Sequence, residues 1–499
     1  MRIAFELQPT FDCPPPDKVP LNLQCRDEIV PILRALQFMY SDAGWRKTIL
    51  DLVGKDVNRS TSKKFGRLGF SYWEVTVLAA MRLGCNLDYD KLQNLAEEHR
   101  TLRLMMGIGS WEEYQVDKKK KKKFDWRTIR DNLCLLRPET LQKINQAVVA
   151  AGHTLAPEAI KQVRGDSFVV ETNIHYPTES NLIGDGLRKV LTLSADLARE
   201  YGVAGWRQHK QLHETVRAEL LEIRQAGRSK SARKEERLQK GYRALLATAK
   251  DLMSRATLLL ATVSVMTAGA ADLLSSKAKQ REIKRYVALT QQVCDTARRR
   301  VLEGETVSNT DKIFSIFEPH TELIKRDKQP NPIQFGHNVL VIEDAVGFVC
   351  HYEVMANGVH DVDIVVPAMK ALQKRSDGKI ERASFDRGFH SPENQKELAK
   401  IVTHPCLAAK GAQKGRKQQQ EGSVEFRESR SRHPGVESAI GALQAGNGME
   451  RCRDRSKRGY ERYVGLGILG RNLHVLGKLL IAQEDSQCQA GKSKRKQVA

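Results

Sequence analysis

The nine cysteines of this 499-residue chain never form a C-x-x-C pair, which removes the usual zinc-module and dithiol readings. Their odd number and scattered positions suit reduced thiols better than a disulfide framework. The start, MRIAFELQPTFDCPPPDKVP, has no apolar h-region, so no signal peptide is expected. The longest apolar-looking run, Leu258–Met266, falls far short of a membrane span. Together these absences give the expectation of a cytoplasmic protein without a membrane partner. No internal repeats are visible. Proline is missing from residues 187–311, a stretch rich in Ala, Leu, Arg and Lys that reads as long helices.

Positive charge, by contrast, is in excess. Lys and Arg number 82 against 60 Asp and Glu, a formal net charge of +22. Such an excess implies a polyanion or a strongly acidic partner, and nucleic acid fits best because each cation that meets a phosphate releases a counterion. A solubilising surface is the plainer alternative. The six lysines Lys118–Lys123 repel one another and are expected in a solvated loop. A second basic stretch runs through Arg207, Lys210, Arg217, Arg224, Arg228, Lys230, Arg233, Lys234, Arg237, Lys240 and Arg243. Glutamates are interleaved, so two readings stand: ion pairing along a solvated helix face, or an arm that grips DNA.

Hydrophobic residues make up 40% of the chain, enough for a sizeable core, and the length allows two to four domains. Residues 1–30 are Pro-rich and expected to be irregular. Helical periodicity then runs through Ile29, Ile32, Leu33, Leu36 and Tyr40, with Pro31 tolerated only in a first turn. Ser71 is a candidate N-cap for a helix over Tyr72–Arg82. That helix and the next, beyond Gly84–Asp90, form either an α-hairpin or a helix-turn-helix DNA reader.

At Val163 the pattern changes. VRGDSFVVET reads as a strand carrying Asp166. FGHNVLVIED and GFVCHYEVM read as an antiparallel hairpin turning at Asp344 and Gly347. A helix is expected from about Pro367 to Gln373, then a strand, ERASFDRGF, ending on Asp386, then helix again over 391–400. Residues 409–432 are expected as a mobile loop. A helix from Pro434 carries Glu437, and another spans Tyr463–Leu480. The polar tail is expected to be disordered.

With the helical stretch set aside, three strands run in meander, and a helix and strand return beside the first. That is an α/β (α+β) ribonuclease-H-like layout. The expected domains are an irregular segment 1–30, a helical DNA-binding or assembly domain 31–155, a catalytic domain 156–186 and 312–482, a helical insertion 187–311, and a disordered basic tail 483–499.

This layout would bring Asp166, Asp386 and Glu437 together. Crowded carboxylates repel unless a cation neutralises them. Mg²⁺ is a hard cation suited to oxygen ligands, and a pair of such ions can activate a water or 3′-hydroxyl and stabilise the leaving oxygen. Each acid also has a plainer role available: turn residue, partner of Arg387, or first-turn helix residue.

The stretch RGDSFVVETNIHYPTESNLIGDGLR resembles the first-aspartate motif of bacterial insertion-sequence transposases of the DDE type, ISNCY-like group. ASFDRGFHSPEN resembles the second-aspartate motif. HPGVESAIGALQ, with MERCRDRSKRGYERYVGLGILGRNLHVLG, resembles the glutamate helix and the segment after it. The likeness extends over most of residues 30–480. It implies a ribonuclease-H-like catalytic domain with Asp166, Asp386 and Glu437 as catalytic and metal-holding residues for two Mg²⁺ ions, with Mn²⁺ able to substitute. It further implies cleavage at element ends and strand transfer into target DNA by a homo-oligomer, a dimer on DNA, associated with the bacterial nucleoid. Expected DNA contacts are Thr172, Asn173 and His175 after the first aspartate, Arg387 beside the second, and Arg451, Arg453, Arg455 and Arg458. Relatives often carry a basic residue seven positions after the glutamate. Gln444 stands there, able to donate hydrogen bonds but not to neutralise phosphate. A nuclease that cuts without joining, and a domesticated DNA-binding protein without catalysis, are the alternatives.

Overall fold

A computed structural model of the chain describes residues 2–4, 13–59, 69–109, 124–267, 274–325, 332–409 and 421–498. The lysine run Lys118–Lys123 lies outside the described residues. The chain divides into two compact units, residues 1–172 with 337–499, and residues 173–336.

The first unit begins with helices α1 (Ile29–Ser41), α2 (Ala43–Val57), α3 (Tyr72–Gly84), α4 (Tyr89–Glu98), α5 (Arg100–Met105), α6 (Trp126–Leu133) and α7 (Pro138–Leu155). Pro31 does sit in the first turn of α1, where its missing N–H costs no helix bond. Ser71 caps α3 by accepting from the Glu74 N–H (3.2 Å), while the Glu74 carboxylate accepts from the Ser71 N–H (2.7 Å). Every residue of α3 from Trp73 to Gly84 is buried, so α3 is a core helix.

The sheet follows: β1 (Gln162–Thr172), β2 (Glu322–Lys325), β3 (Ile333–Asp344), β4 (Val349–Val354), β5 (Arg382–Phe385), β6 (His404–Leu407) and the two-residue β7 (Arg451–Cys452). Neighbouring strands run β2-β3-β1-β5-β6, with β4 also on β3 and β7 also on β1. β1, β5 and β6 are mutually parallel, and β3 and β4 form the expected antiparallel hairpin. Gly347 at its turn has φ +100°, a conformation that favours glycine.

Several expectations need correction. The helix placed at Pro367 starts earlier, as α12 (Asp361–Arg375), with Pro367 inside it. Its start is held by the Asp363 carboxylate, which accepts from the His360 N–H (2.9 Å). After α13 (Pro392–Leu398), strand β6 was not expected at all, because HPCL is short and contains proline. The stretch expected as a mobile loop, 409–432, contains α14 (Val424–Arg432), capped by Ser423 accepting from the Phe426 N–H (3.2 Å). After α15 (Gly435–Ala445), the last helix α16 spans Lys457–Val498, so 483 marks no break in secondary structure.

The separate N-terminal domain 31–155 also needs correction. Its apolar residues and those of the sheet belong to one continuous core, with α16 running through it against α1, α3 and α7. Small residues make this approach possible. A methyl group on Gly477 would lie 1.8 Å from the Pro31 carbonyl oxygen, and one on Gly470 would lie 2.5 Å from the Gly84 Cα. This helix is the one described element long and apolar enough to cross a membrane, but 72% of its apolar window is buried inside the protein, as in a core helix.

The second unit has its own core, built on α8 (Glu179–Glu200), α9 (His209–Arg228), α10 (Lys234–Met266) and α11 (Leu274–Ala297). β2 and the first residues of β3 pair within it. The described residues of 187–311 contain no strand. The boundary expected at 187 cuts through α8, and the compact unit is wider, 173–336.

Candidate functional site

In β1 and β5 the register pairs Val163 with Ala383, Arg164 with Ser384 and Gly165 with Phe385. One step further, where β5 has just ended, stand Asp166 and Asp386. Adjacent strands lie about 4.8 Å apart, and aligned residues of parallel strands share a face. Gly165 belongs to the opposite, apolar face: a methyl there would lie 2.4 Å from the Phe385 ring. The glycine before the first aspartate is therefore a packing requirement of the strand pair.

The Arg164–Ser384 face is covered by the chain entering α15. His433 Nδ1 lies 3.2 Å from Ser384 Oγ. Arg164 donates to the Arg432 carbonyl (2.9 Å), and a methyl on Gly435 would lie 2.1 Å from its Nη1. By strand alternation Asp166 and Asp386 face this same side, two residues along from Arg164 and Ser384. Glu437 sits in the first turn of α15, where the helix dipole favours an acid. Asp386 and Glu437 are exposed and Asp166 is half-buried.

Electrostatics link the second and third acids. His433 is 6% exposed. Burial pushes its pKa down and Arg430 pushes it further, while Asp386 and Glu437 both push it up. Both acids therefore bear on one buried imidazole. Arg430 Nη2 lies 3.8 Å from Asp386 Oδ1, and its Nη1 is buried without a hydrogen-bond partner. Arg164 also pairs with Glu343 (2.5 Å), whose carboxyl is raised in pKa by burial, with Arg164 opposing. Arg164, Ser384, Arg430 and His433 were not singled out by sequence reasoning. The alternation of RGD would have found Arg164, but the α14 residues were hidden in a stretch read as loop.

The expected DNA contacts scatter. Thr172 is 4% exposed at the end of β1, beside Cys452, so it cannot line a surface groove; this corrects its assignment. Asn173 and His175 are exposed but belong to the second unit, where His175 Nε2 lies 3.5 Å from Asp185 Oδ2. Arg387 is exposed in a single 3-10 turn directly after Asp386. Gln444 is half-buried in the last turn of α15. Arg451, on β7, is exposed and pairs with Glu171 (2.9 Å). Arg453 donates to Asn86 Oδ1 (2.6 Å) and to the Tyr463 hydroxyl (3.0 Å). Arg455 and Arg458 are exposed.

All eleven basic residues named between Arg207 and Arg243 are exposed. Among the described residues only Arg217 of these forms an ion pair, with Glu214 (3.1 Å). The ion-paired reading of that stretch therefore accounts for little of its charge.

Family models, curated proteins and solved structures yield no match to this chain.

Proposed function

We propose that the chain is a DNA transposase of the DDE type, with Asp166, Asp386 and Glu437 as its metal-holding acids. The observation that carries this reading is the juxtaposition of Asp166 and Asp386 at adjacent strand positions, on the face where the Glu437 helix begins. The strand order β4-β3-β1-β5-β6 supports a ribonuclease-H-like core, in which a three-strand meander is followed by strands returning parallel beside the first.

In kind the donor set suits magnesium, although among the described residues these three carboxylates are not a group whose ligand atoms already lie within 4.8 Å of one another, so the side chains would have to close in on the ions. It offers carboxylate oxygens only, two of the three acids are exposed, and the neighbouring guanidinium stands off at 3.8 Å. When bound, two Mg²⁺ ions, or Mn²⁺ in their place, would activate an attacking oxygen and neutralise charge on the phosphodiester. The chain's own residues do the rest. Arg430 holds positive charge beside Asp386. Arg387 is free to meet a phosphate next to the cleaved bond. β7 places Arg451 beside Glu171, about 16 Å along β1 from Asp166 at 3.3 Å per residue. Arg451, Arg455 and Arg458 thus suit backbone phosphates some nucleotides from the cleavage point. The exposed arginines and lysines of α9 and α10 give the second unit its own candidates for phosphate contacts.

Incubation with Mg²⁺ and plasmid carrying the DNA that flanks the gene tests the reading. Joined products are expected. Cut products alone would make the chain a nuclease, and a bound complex without cutting would make it a DNA-binding protein that has lost catalysis.

A further inference from the structure

A second cluster of ligating atoms lies in the first unit. Asp344 closes the β3–β4 hairpin and is fully buried. Its Oδ1 accepts from the backbone N–H groups of Val346, Gly347 and Phe348 (3.0, 2.9 and 3.0 Å), which fixes the carboxylate in place. Its Oδ2 faces two other side chains. His153 Nε2, from α7, lies 2.8 Å away, and Cys350 Sγ, from β4, lies 3.6 Å away. The three ligand atoms all fall within 4.8 Å of one another. Gly152 lets α7 approach this closely, since a methyl there would lie 2.3 Å from the Phe348 ring, and that ring meets the His153 imidazole edge-on.

We propose that His153, Asp344 and Cys350 bind a borderline transition-metal ion of the zinc type. Tetrahedral zinc with ordinary bond lengths needs ligand atoms roughly 3.3–3.6 Å apart, so only small shifts of the side chains separate this arrangement from a filled site. Nitrogen, thiolate sulfur and one carboxylate oxygen select such an ion over Mg²⁺. The fourth position has a source. His153 and Cys350 both line a cavity of about 510 Å³, with Thr154, Arg375 and Ser376 among its other walls, which can deliver water and the ion. Burial and Asp344 push the Cys350 thiol up, with Arg375 opposing, so the thiol proton is one that a bound ion would displace. Binding releases the thiol proton to solvent and forms a metal–sulfur bond; the Nε2 proton that His153 shares with Asp344 moves to Nδ1 or to solvent, which frees the Nε2 lone pair for the ion, so affinity falls as pH falls. The hairpin, α7 and β4 are then tied together at one point.

Full-length protein, stripped with chelator and passed through a desalting column after exposure to Zn²⁺, should retain about one equivalent. Co²⁺ in place of Zn²⁺ should give a sulfur-to-cobalt charge-transfer band, lost in Cys350→Ser and not reduced by excess Mg²⁺. Zinc should also protect Cys350, in the unaltered protein, from alkylation mapped by mass spectrometry; this readout needs no variant to fold. His153→Gln should retain the fold and lose most of the bound zinc. Absence of retained zinc and of Cys350 protection would overturn the proposal, leaving a hydrogen-bonded cluster only. A cobalt band that persists in Cys350→Ser would overturn it as well. None of these outcomes depends on DNA cleavage, so the metal proposal and the transposase reading fail separately.

Discussion

An open face carrying Asp386 and Glu437 and a closed His153–Asp344–Cys350 cluster share one unit of this protein, and they differ in almost every physical respect. Asp386 and Glu437 are exposed, with Arg430 standing 3.8 Å from Asp386 and both acids bearing on a His433 that burial pushes down in pKa. Asp344 is fully buried and holds hydrogen bonds from three backbone N–H groups plus an imidazole. On the proposed reading, exposed acids serve exchangeable hard ions. A closed cluster suits tight retention or pure stabilisation. The contrast predicts that removing the exposed acids changes activity while removing the buried one changes the fold.

The largest expected effect follows at the open face. Replacing Asp166, Asp386 or Glu437 singly with Ala should abolish Mg²⁺-dependent strand cleavage while leaving DNA binding and the melting temperature nearly unchanged. Gel-based cleavage, filter binding and thermal melts on the same preparations would check this. A cleaving Glu437→Ala protein would remove that residue from the set.

The buried acid should behave oppositely. Asp344→Ala leaves three N–H groups and an imidazole without their partner, which should cost roughly 3–5 kcal/mol of stability. Denaturant unfolding measures it. A loss below about 1 kcal/mol would mean that the hairpin turn holds itself without the carboxylate.

A smaller effect sharpens the open side. Arg455 and Arg458 are exposed, whereas Arg451 and Arg453 also serve the fold through Glu171, Asn86 and Tyr463. Replacing Arg455 and Arg458 with Ala should lower the slope of log affinity against log salt by about 0.9 for each phosphate left without its arginine, equally on many DNA sequences. An unchanged slope would move the DNA path to α9 and α10.

The smallest concerns pH. Burial, then Lys478 and Arg471, push the His474 pKa down from 6.5 to about 4. Since the unfolded chain binds this proton more readily than the folded one, stability should fall as pH drops through the unfolded value toward about 4, and be fully present above it. His474→Gln should flatten that part of the melting curve against pH. An unaltered acid limb would assign it to other groups.

Much of the open face was legible in the sequence because its signals are local. VRGDSFVVET and ERASFDRGF are short β-branched or aromatic stretches that each deliver one aspartate, and a proline announces the Glu437 helix. The hairpin turning at Asp344 and Gly347 was legible for the same reason. What stayed hidden depends on tertiary contact. The polar residues of α14 form a helix because Arg382 pairs with Glu428 (2.7 Å) and Arg432 donates to Gln162 (2.7 Å), and neither partner is near in sequence. β6 exists by pairing with β5 across a proline. The single core of helices and sheet rests on glycines of α16 that meet Pro31 and Gly84, far apart in the chain. His153 likewise gives no sequence signal, because its partners lie on β3 and β4.

The central claim is that Asp166, Asp386 and Glu437 hold ions together. Crystals of the full chain with a DNA end and Mn²⁺, measured for manganese anomalous scattering, test it most directly. Two peaks bounded by those three carboxylates are the expected result. Manganese bound elsewhere, or held by Asp166 and Asp386 with Glu437 out of reach, would contradict it.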